Sequence, residues 1–583
     1  MSDLIVSGVQ LDFKHPRNGA AKQKDNDFSA EAEKMSVEKR PIFLALQGGG
    51  ARGIVHVGAL TAINELDLDI RGVSGTSAGS IVAALIAVGY TGRDLLDPDL
   101  SKPQHLFDRM PPTTRAKKPT DLFSGAGWRW LRLIRWLTTL RLPKLFKVFG
   151  LSLVGGFAYL SYLLTDFNIY LGLSVNLVLA VVAFVAVGHV SNGLTTLDHV
   201  RDFMDTALKH KLGWPVETKL GGSQLEVTFS DLRSAGKIPL KIIATNTSNE
   251  SVELFCADNT PDVAVADAVA ASICLPIIFK PWQITFKRPR DKESAVYKFL
   301  DGGFVSNLPA WPFDEERLVQ PEIPTIAMSI LTPGAESKHW TSSIINTMVN
   351  GTAEIDTRAV GRFAKIPLPT DWGMLDFDKG FKDVYIEALR AKQVTLGQLA
   401  NELIDTPKAL REAANAILMD VTDIISQYAG YLQSATDLNG KVRVAIAAQR
   451  SSTPRLLSLI STSGYSYDVG FGAVLSNSHP SWAAWTENQP RMTRLDSSRK
   501  EFLGHSPQAL WVLCVPLRPS QPSRGVPIKA CVVMIEFDLA LNNNALDGRE
   551  HLVDIGACVS KIVSDYNESE GIANFVQGSN TCI

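Results

Sequence analysis

Cysteine is scarce. The chain holds Cys256, Cys274, Cys514, Cys531, Cys558 and Cys582 among 583 residues, with no C-x-x-C spacing and mostly apolar neighbours. That pattern excludes a disulfide framework and a cysteine zinc site, and reads as reduced thiols of a cytosolic-facing chain. An excess of charge is also missing. With 58 basic and 60 acidic residues the net charge is −2, which gives nucleic acid no support as a partner. The first 40 residues lack the basic start and apolar core of a signal peptide. Residues 14–40 are charged and poor in large apolar side chains, so residues 1–40 are expected to be a flexible segment. Histidine is sparse as well: there are 10, none in an evident partner motif.

What is present fits a globular protein of more than one domain, 45% hydrophobic and 20% charged. The densest stretch is residues 41–90. An apolar run, PIFLAL, ends at Gly48, Gly49 and Gly50, and a helical pattern follows from Ile54 to Leu66. Successive glycines let backbone N–H groups approach a bound atom, and at a helix N-terminus such groups suit a negatively charged oxygen. A second unit repeats the plan: a short strand over 70–74, the G-x-S-x-G elbow Gly75-Thr76-Ser77-Ala78-Gly79, and an apolar helix over 80–88. The elbow sets Ser77 on a sharp turn between small neighbours, open to a substrate.

GGGARG at 48–53 followed by GTSAG at 75–79 resembles the patatin-like phospholipase family, and a D-G-G motif stands at Asp301-Gly302-Gly303. Other similar landmarks are VTFSDL at 227–232, Ala270-Ala271-Ser272, and Asn307-Leu308-Pro309, so that the resemblance covers roughly residues 40–390. It implies Ser77 as nucleophile and Asp301 as its base. It also implies Gly48, Gly49, Gly50, Arg52 and Gly53 as the oxyanion loop, Gly75 and Gly79 as the elbow glycines, and no metal or cofactor. The implied reaction is hydrolysis of glycerophospholipid esters, a phospholipase A type of activity.

The chemistry can also be weighed directly. A serine needs a neighbour to take its proton. His56 lies inside the 54–66 helix and reads as structural, whereas a carboxylate held away from bulk water can serve, with Asp301 the candidate. Arg52 is read as holding the loop, offsetting developing charge, or making a surface pair.

Residues 101–190 form an insert. Arg109, Arg115, Lys117 and Lys118 precede WRWLRLIRWL at 128–137, whose arginines recur every three residues among tryptophans and leucines, the pattern of a helix at a membrane surface. Apolar runs at 148–164 and 169–187, separated by TDFN, then read as a membrane hairpin. Nucleophile and base flank the insert, so the chain must cross an even number of times or not at all, the alternatives to a spanning hairpin being a re-entrant hairpin or two buried helices in an oligomer. The basic flank places the catalytic and C-terminal domains on the cytoplasmic face.

Further along, 194–211 and 261–272 read as helices, and 240–245, 297–300 and 325–331 as strands. The expected fold class is α/β, a mainly parallel sheet covered on both faces. The resemblance makes this a patatin-like three-layer fold over 41–100 and 191–395, interrupted by a two-helix apolar insert. Residues 396–438 read as a helical connector, with Ile417, Val421, Ile424, Tyr428 and Leu432 on one face, packed on its own domain or pairing in a homo-oligomer. Residues 439–570 read as a smaller α+β domain that resembles a GAF-type sensory domain, with strands near 442–448, 510–517 and 528–537 and a final helix over 549–566. Trp482 and Trp485 are read as core, with a pocket as the second choice. The partners implied are membrane phospholipid, the bilayer, and a small-molecule regulator at the C-terminal domain. The alternatives are an acyltransferase, a lysophospholipid or neutral-lipid esterase with the same dyad, or an inactive membrane sensor.

Overall fold

The computed structural model describes residues 3–5, 39–97, 104–112, 195–215, 223–276, 278–289, 292–320, 323–331, 362–374, 376–377, 379–427, 432–434, 442–449, 457–465, 478–495, 509–520, 528–541 and 547–578, with isolated positions between them. Two sheets organise it, one for each half of the chain.

In the N-terminal half, strands β1 (Pro41–Leu46), β2 (Asp69–Thr76), β3 (Leu240–Asn246), β4 (Ser251–Phe255), β5 (Trp282–Phe286), β6 (Ala295–Asp301), β7 (Thr325–Leu331) and β8 (Phe363–Pro369) form one sheet. Its order is β8-β7-β1-β2-β3-β6-β5, with β4 paired to β3. Pairings from β8 through β3 are parallel, and those of β4, β5 and β6 are antiparallel. The apolar run of β1 is explained by this place, since a central parallel strand is covered on both faces. Its Ile42, Leu44 and Leu46 are fully buried.

Helices α1 (Val55–Glu65), α2 (Ala78–Ala87), α3 (Asp198–Leu212) and α4 (Val265–Ser272) cover this sheet. The small residues of α2 and α4 let them lie close: every residue of α4 but Asp267 is buried. The helix expected over 261–272 starts only at Val265, because the Pro261 carbonyl accepts Ser230 N–H and Ala264 bridges Thr228. Likewise α3 starts at Asp198, since Thr195 pairs with Phe279.

A long helical path joins the halves. Helix α5 (Phe381–Ala400) packs on α1, a π-helical turn spans Asn401–Asp405, and α6 (Thr406–Gln427) continues into the second unit. The α5–α1 crossing is tight at Gly58, where a Cβ would stand 1.9 Å from the Ala388 carbonyl oxygen. The helical path expected from 396 therefore begins at Phe381. It ends at Gln427, because Leu432–Ser434 pairs as a strand with Leu539–Leu541. Of the face expected on α6, Ile417 and Val421 are buried within the chain, but it is Ile425 that joins them and Ile424 is only partly covered.

In the C-terminal half, β9 (Val442–Gln449), β10 (Leu457–Ser463), β11 (Arg491–Arg494), β12 (Trp511–Pro516) and β13 (Cys531–Phe537) form an antiparallel sheet in the order β11-β12-β13-β9-β10. Asp3–Ile5 and Val474–Leu475 extend its two edges. Helices α6 and α8 (Asp547–Glu570) lie on one face, and α7 (Pro480–Glu487) lies on the other. Trp482 and Trp485 pack against the α7 side of that core.

The described cysteines, all but Cys582, form no disulfide among the described residues. Among the described residues no helix is long and apolar enough to cross a membrane. The basic helix expected at 128–137 lies outside the described residues, as do most of the runs 148–164 and 169–187 and residues 6–38.

Candidate active site

Sheet register brings the two ends of the site together. β3 pairs with β2 up to Thr76↔Ile243 and with β6 from Ala244↔Asp301, so the ends of β2 and β6 meet along one strand. Ser77, the next residue after β2, has φ 52° and ψ −128°. A positive φ is uncommon for a side chain other than glycine. Here it is held by the Ser77 N–H, which donates to the Ser272 hydroxyl at 2.9 Å, while that hydroxyl donates to the Ile243 carbonyl at 2.6 Å. Two glycines permit the tight passage. A Cβ on Gly75 would lie 2.4 Å from the Gly79 carbonyl oxygen, and one on Gly79 would lie 2.3 Å from that of Leu46.

The Ser77 hydroxyl donates to Asp301 Oδ2 at 2.7 Å, and Asp301 Oδ1 accepts the Gly303 N–H at 2.7 Å. Both side chains are buried, and Asp301 has no ion-pair partner among the described residues. Burial pushes its carboxyl up from 3.8 to about 6, with the Gly303 N–H and the Ser77 hydroxyl holding it lower than burial alone would. A carboxylate so placed is ionised near neutral pH and still able to take a proton.

The glycine loop lies against this pair. Gly48 contributes space: a Cβ there would stand 2.9 Å from Ser77 Cβ and 2.5 Å from Asn307 Oδ1. Its N–H donates to the Asn307 carbonyl at 3.0 Å, so it is not an oxyanion donor in this state. Gly49 and Gly50 carry N–H groups that donate to no backbone carbonyl among the described residues, and Gly50 has φ 58°. Arg52 donates through Nε to the Gly49 carbonyl at 3.2 Å, which makes it a brace of the loop; its burial lowers the guanidinium pKa. Gly53 lets Ala78 approach, since a Cβ there would lie 2.6 Å from Ala78 Cβ. His56 is buried, bonded through Nε2 to the Gln47 carbonyl at 2.8 Å, and pushed down to about 4 by burial, a neutral structural group.

Three contributors escaped the reading of residues. The first is the Ser272 hydroxyl, visible in sequence only as part of AAS. The second is the N–H of Ala78, the first residue of α2, which has no intrahelical partner. The third is Met374, whose carbonyl accepts Ala51 N–H at 2.8 Å. No sequence signal marks a carbonyl 323 residues away from its donor. Among the described residues no cluster of His, Cys, Asp and Glu has the makings of a metal site.

The family model described as patatin-like phospholipase matches residues 44–314. The lysophospholipase NTE1 of Eremothecium gossypii is 37% identical over 114 residues, 20% of this chain and 6% of that protein. An uncharacterized Bacillus subtilis protein, YqhO, is 46% identical over 48 residues, 8% of this chain and 16% of its own length. The chain thus spans a small part of the curated relatives it matches. Among solved structures, VipD from Legionella pneumophila shares 17% identity with a TM-score of 0.28, covering 62% of this chain and 67% of that one. Over residues 44–314, a little under half of its length, this chain is similar to the patatin-like phospholipases.

Proposed function

We propose that the chain is a serine lipid acyl hydrolase of phospholipase A type, acting on glycerophospholipid esters through Ser77 and Asp301. The observation that carries this reading is the 2.7 Å bond from the Ser77 hydroxyl to a buried Asp301, without a cation among the described residues, beside a glycine loop. Asp301 accepts the hydroxyl proton as Ser77 Oγ attacks the ester carbonyl. The tetrahedral oxyanion is met by the N–H groups of Gly49 and Gly50, with Gly48, Arg52 and Gly53 shaping the loop. Asp301 then gives the proton to the departing alcohol. Water repeats the sequence on the acyl-enzyme, releasing a fatty acid and restoring the serine.

A lysophospholipid is the second substrate reading, favoured by the likeness to a fungal lysophospholipase. Acyl transfer to an alcohol, or a neutral-lipid ester, would use the same pair.

The insert at 101–190 would hold the site at a bilayer, as a hairpin with the catalytic and C-terminal domains on the cytoplasmic face. Within its apolar runs Tyr159, Tyr162, Leu163, Tyr170, Leu177 and Val181 are exposed, between 44% and 79%. Outward aromatic and aliphatic side chains suit a lipid interface. The C-terminal unit is read as a GAF-like sensory domain that regulates the site. Its route is short: α6 leads back through α5, packed on α1, to Met374 on the glycine loop.

Fatty-acid release from mixed phospholipid vesicles by the reconstituted protein tests the reading, beside Ser77→Ala and Asp301→Ala. Release lost in both variants supports it. Release that persists in Ser77→Ala refutes it. Extraction of the insert into the soluble fraction by alkaline carbonate would remove the hairpin.

A further inference from the structure

The loop after the D-G-G turn touches each element of the site without supplying a reacting atom. Its Asn307 carbonyl accepts the Gly48 N–H at 3.0 Å. The Ser306 carbonyl accepts the Thr76 hydroxyl at 2.8 Å, and the Pro309 carbonyl accepts the Ser74 hydroxyl at 2.5 Å. Glycine loop and elbow strand therefore hang from three carbonyls of a segment only a few residues past Asp301. Wherever this segment stands, it sets the spacing of oxyanion loop, nucleophile and base.

Hydrogen bonds from behind hold the segment itself. Thr352 and Asp356 are helical and four residues apart, hence on one face. Thr352 Oγ1 accepts the Asn307 N–H at 3.1 Å and Asp356 Oδ2 accepts the Leu308 N–H at 3.0 Å. The Ser306 hydroxyl, which accepts the Trp311 Nε1–H at 3.0 Å, also lies close to Asp356. Asp356 is only 7% exposed and has no ion-pair partner among the described residues. Burial raises its carboxyl to about 6, against the opposing pull of the loop N–H groups and the Ser306 hydroxyl. A buried carboxyl without a cation is costly to keep. Asn307 shows a second cost: its Nδ2 is buried with no acceptor.

We propose that Asp356 is a positioning residue for the Ser77–Asp301 pair, holding the 306–309 loop at the height where Asn307 fixes Gly48. The inference rests on the dyad reading above, but its structural half can be tested apart from turnover. Asp356 touches no substrate; it acts by presenting an acceptor to the loop, so an uncharged acceptor of the same size does most of its work.

The experiment pairs steady-state kinetics on vesicles with backbone hydrogen exchange of the whole reconstituted protein. Asp356→Ala is expected to lower kcat ~10- to 100-fold, the cost of a displacement on the order of 1 Å, with KM within about two-fold of wild type. Exchange should accelerate in the peptides covering 47–54 and 302–312 and stay unchanged in the C-terminal sheet. Asp356→Asn, which keeps an acceptor oxygen, should recover kcat to within a few-fold and restore the exchange. Should Asp356→Ala fail to fold, Thr352→Val removes the neighbouring acceptor and should accelerate exchange in the same two peptides. Wild-type exchange at 47–54 in the folded variants overturns the inference, as does an Asn variant no better than Ala. If wild-type protein neither turns over esters nor labels at Ser77, the catalytic reading fails, and the exchange result still decides whether Asp356 sets the loop.

Discussion

Each half of the molecule buries a carboxylate, and the two are treated in opposite ways. In the C-terminal sheet, Asp538 faces Arg443 through two bonds of 2.8 Å, from Nη1 to Oδ1 and from Nη2 to Oδ2. The pair is closed: both side chains are buried, and the Arg443 guanidinium pKa is raised, first by its bonds to Asp538. In the N-terminal sheet, Asp301 meets a hydroxyl and an N–H but no cation among the described residues, and burial raises its carboxyl to about 6. A paired buried charge serves the fold, whereas one left without a counter-charge beside a nucleophile is poised for proton transfer. The sheets differ for the same reason. Ends of the parallel strands β1 and β2 point Gly48 and Ser77 to one edge, and the antiparallel β6 runs back along β3 to bring Asp301 to them, while the wholly antiparallel C-terminal strands spread their turns over both edges.

That comparison can be broken from either side. The largest expected effect is on chemistry: Ser77→Ala and Asp301→Asn should each lower acyl release by at least about 10³-fold. Thermal unfolding should remain cooperative, and fluorophosphonate labelling should vanish in Ser77→Ala. Arg443→Ala should instead cost on the order of 3–5 kcal/mol of stability, by leaving Asp538 buried and unpaired. Labelling of Ser77 in the folded fraction would continue. If Arg443→Ala silenced the serine while leaving stability intact, the assignment of the two carboxylates would be reversed.

Gly48→Ala comes next. The new methyl would stand 2.5 Å from Asn307 Oδ1 and 2.9 Å from Ser77 Cβ, so the loop must shift; a loss of about 10²-fold in kcat is expected.

The smallest effect is on pH dependence. The folded pKa of Asp301 lies above 3.8, so the folded chain keeps this proton between about 4 and 6 and loses stability as pH rises through that window. Asp301→Asn removes the cost of ionisation. It should be more stable than wild type above pH 6, by on the order of 2–3 kcal/mol at most, and show no gain below pH 4. Wild-type turnover should rise through pH 6, because only the ionised carboxyl accepts the serine proton. A denaturation midpoint compared at the two pH values checks the sign.

The glycine-rich turns were legible because their reason is local. Gly75, Gly79 and Gly53 are imposed by close approach within or between neighbouring elements, and the strands 41–46 and 325–331 match their apolar runs residue for residue. The start of α5 was not legible. Its pattern over 381–398 mixes charged and apolar residues, and only packing on α1 through Gly58 makes it a helix of the first unit. The end of the connector was misread for a similar reason: Leu432 continues the helical spacing, but its backbone pairs with Leu541.

By itself the sequence determined the chemistry available: a serine on an elbow, a glycine loop before it, and an aspartate in a D-G-G turn, each a statement about a few consecutive residues. Only the tertiary structure decided how these act together. The handover of β3 from β2 to β6 puts residues 224 apart within 2.7 Å, the Gly48 N–H is spent on Asn307, and Asp301 has no cation among the described residues. Burial and pairing belong to whatever the fold brings alongside a residue, and a pKa or a free donor follows from those neighbours.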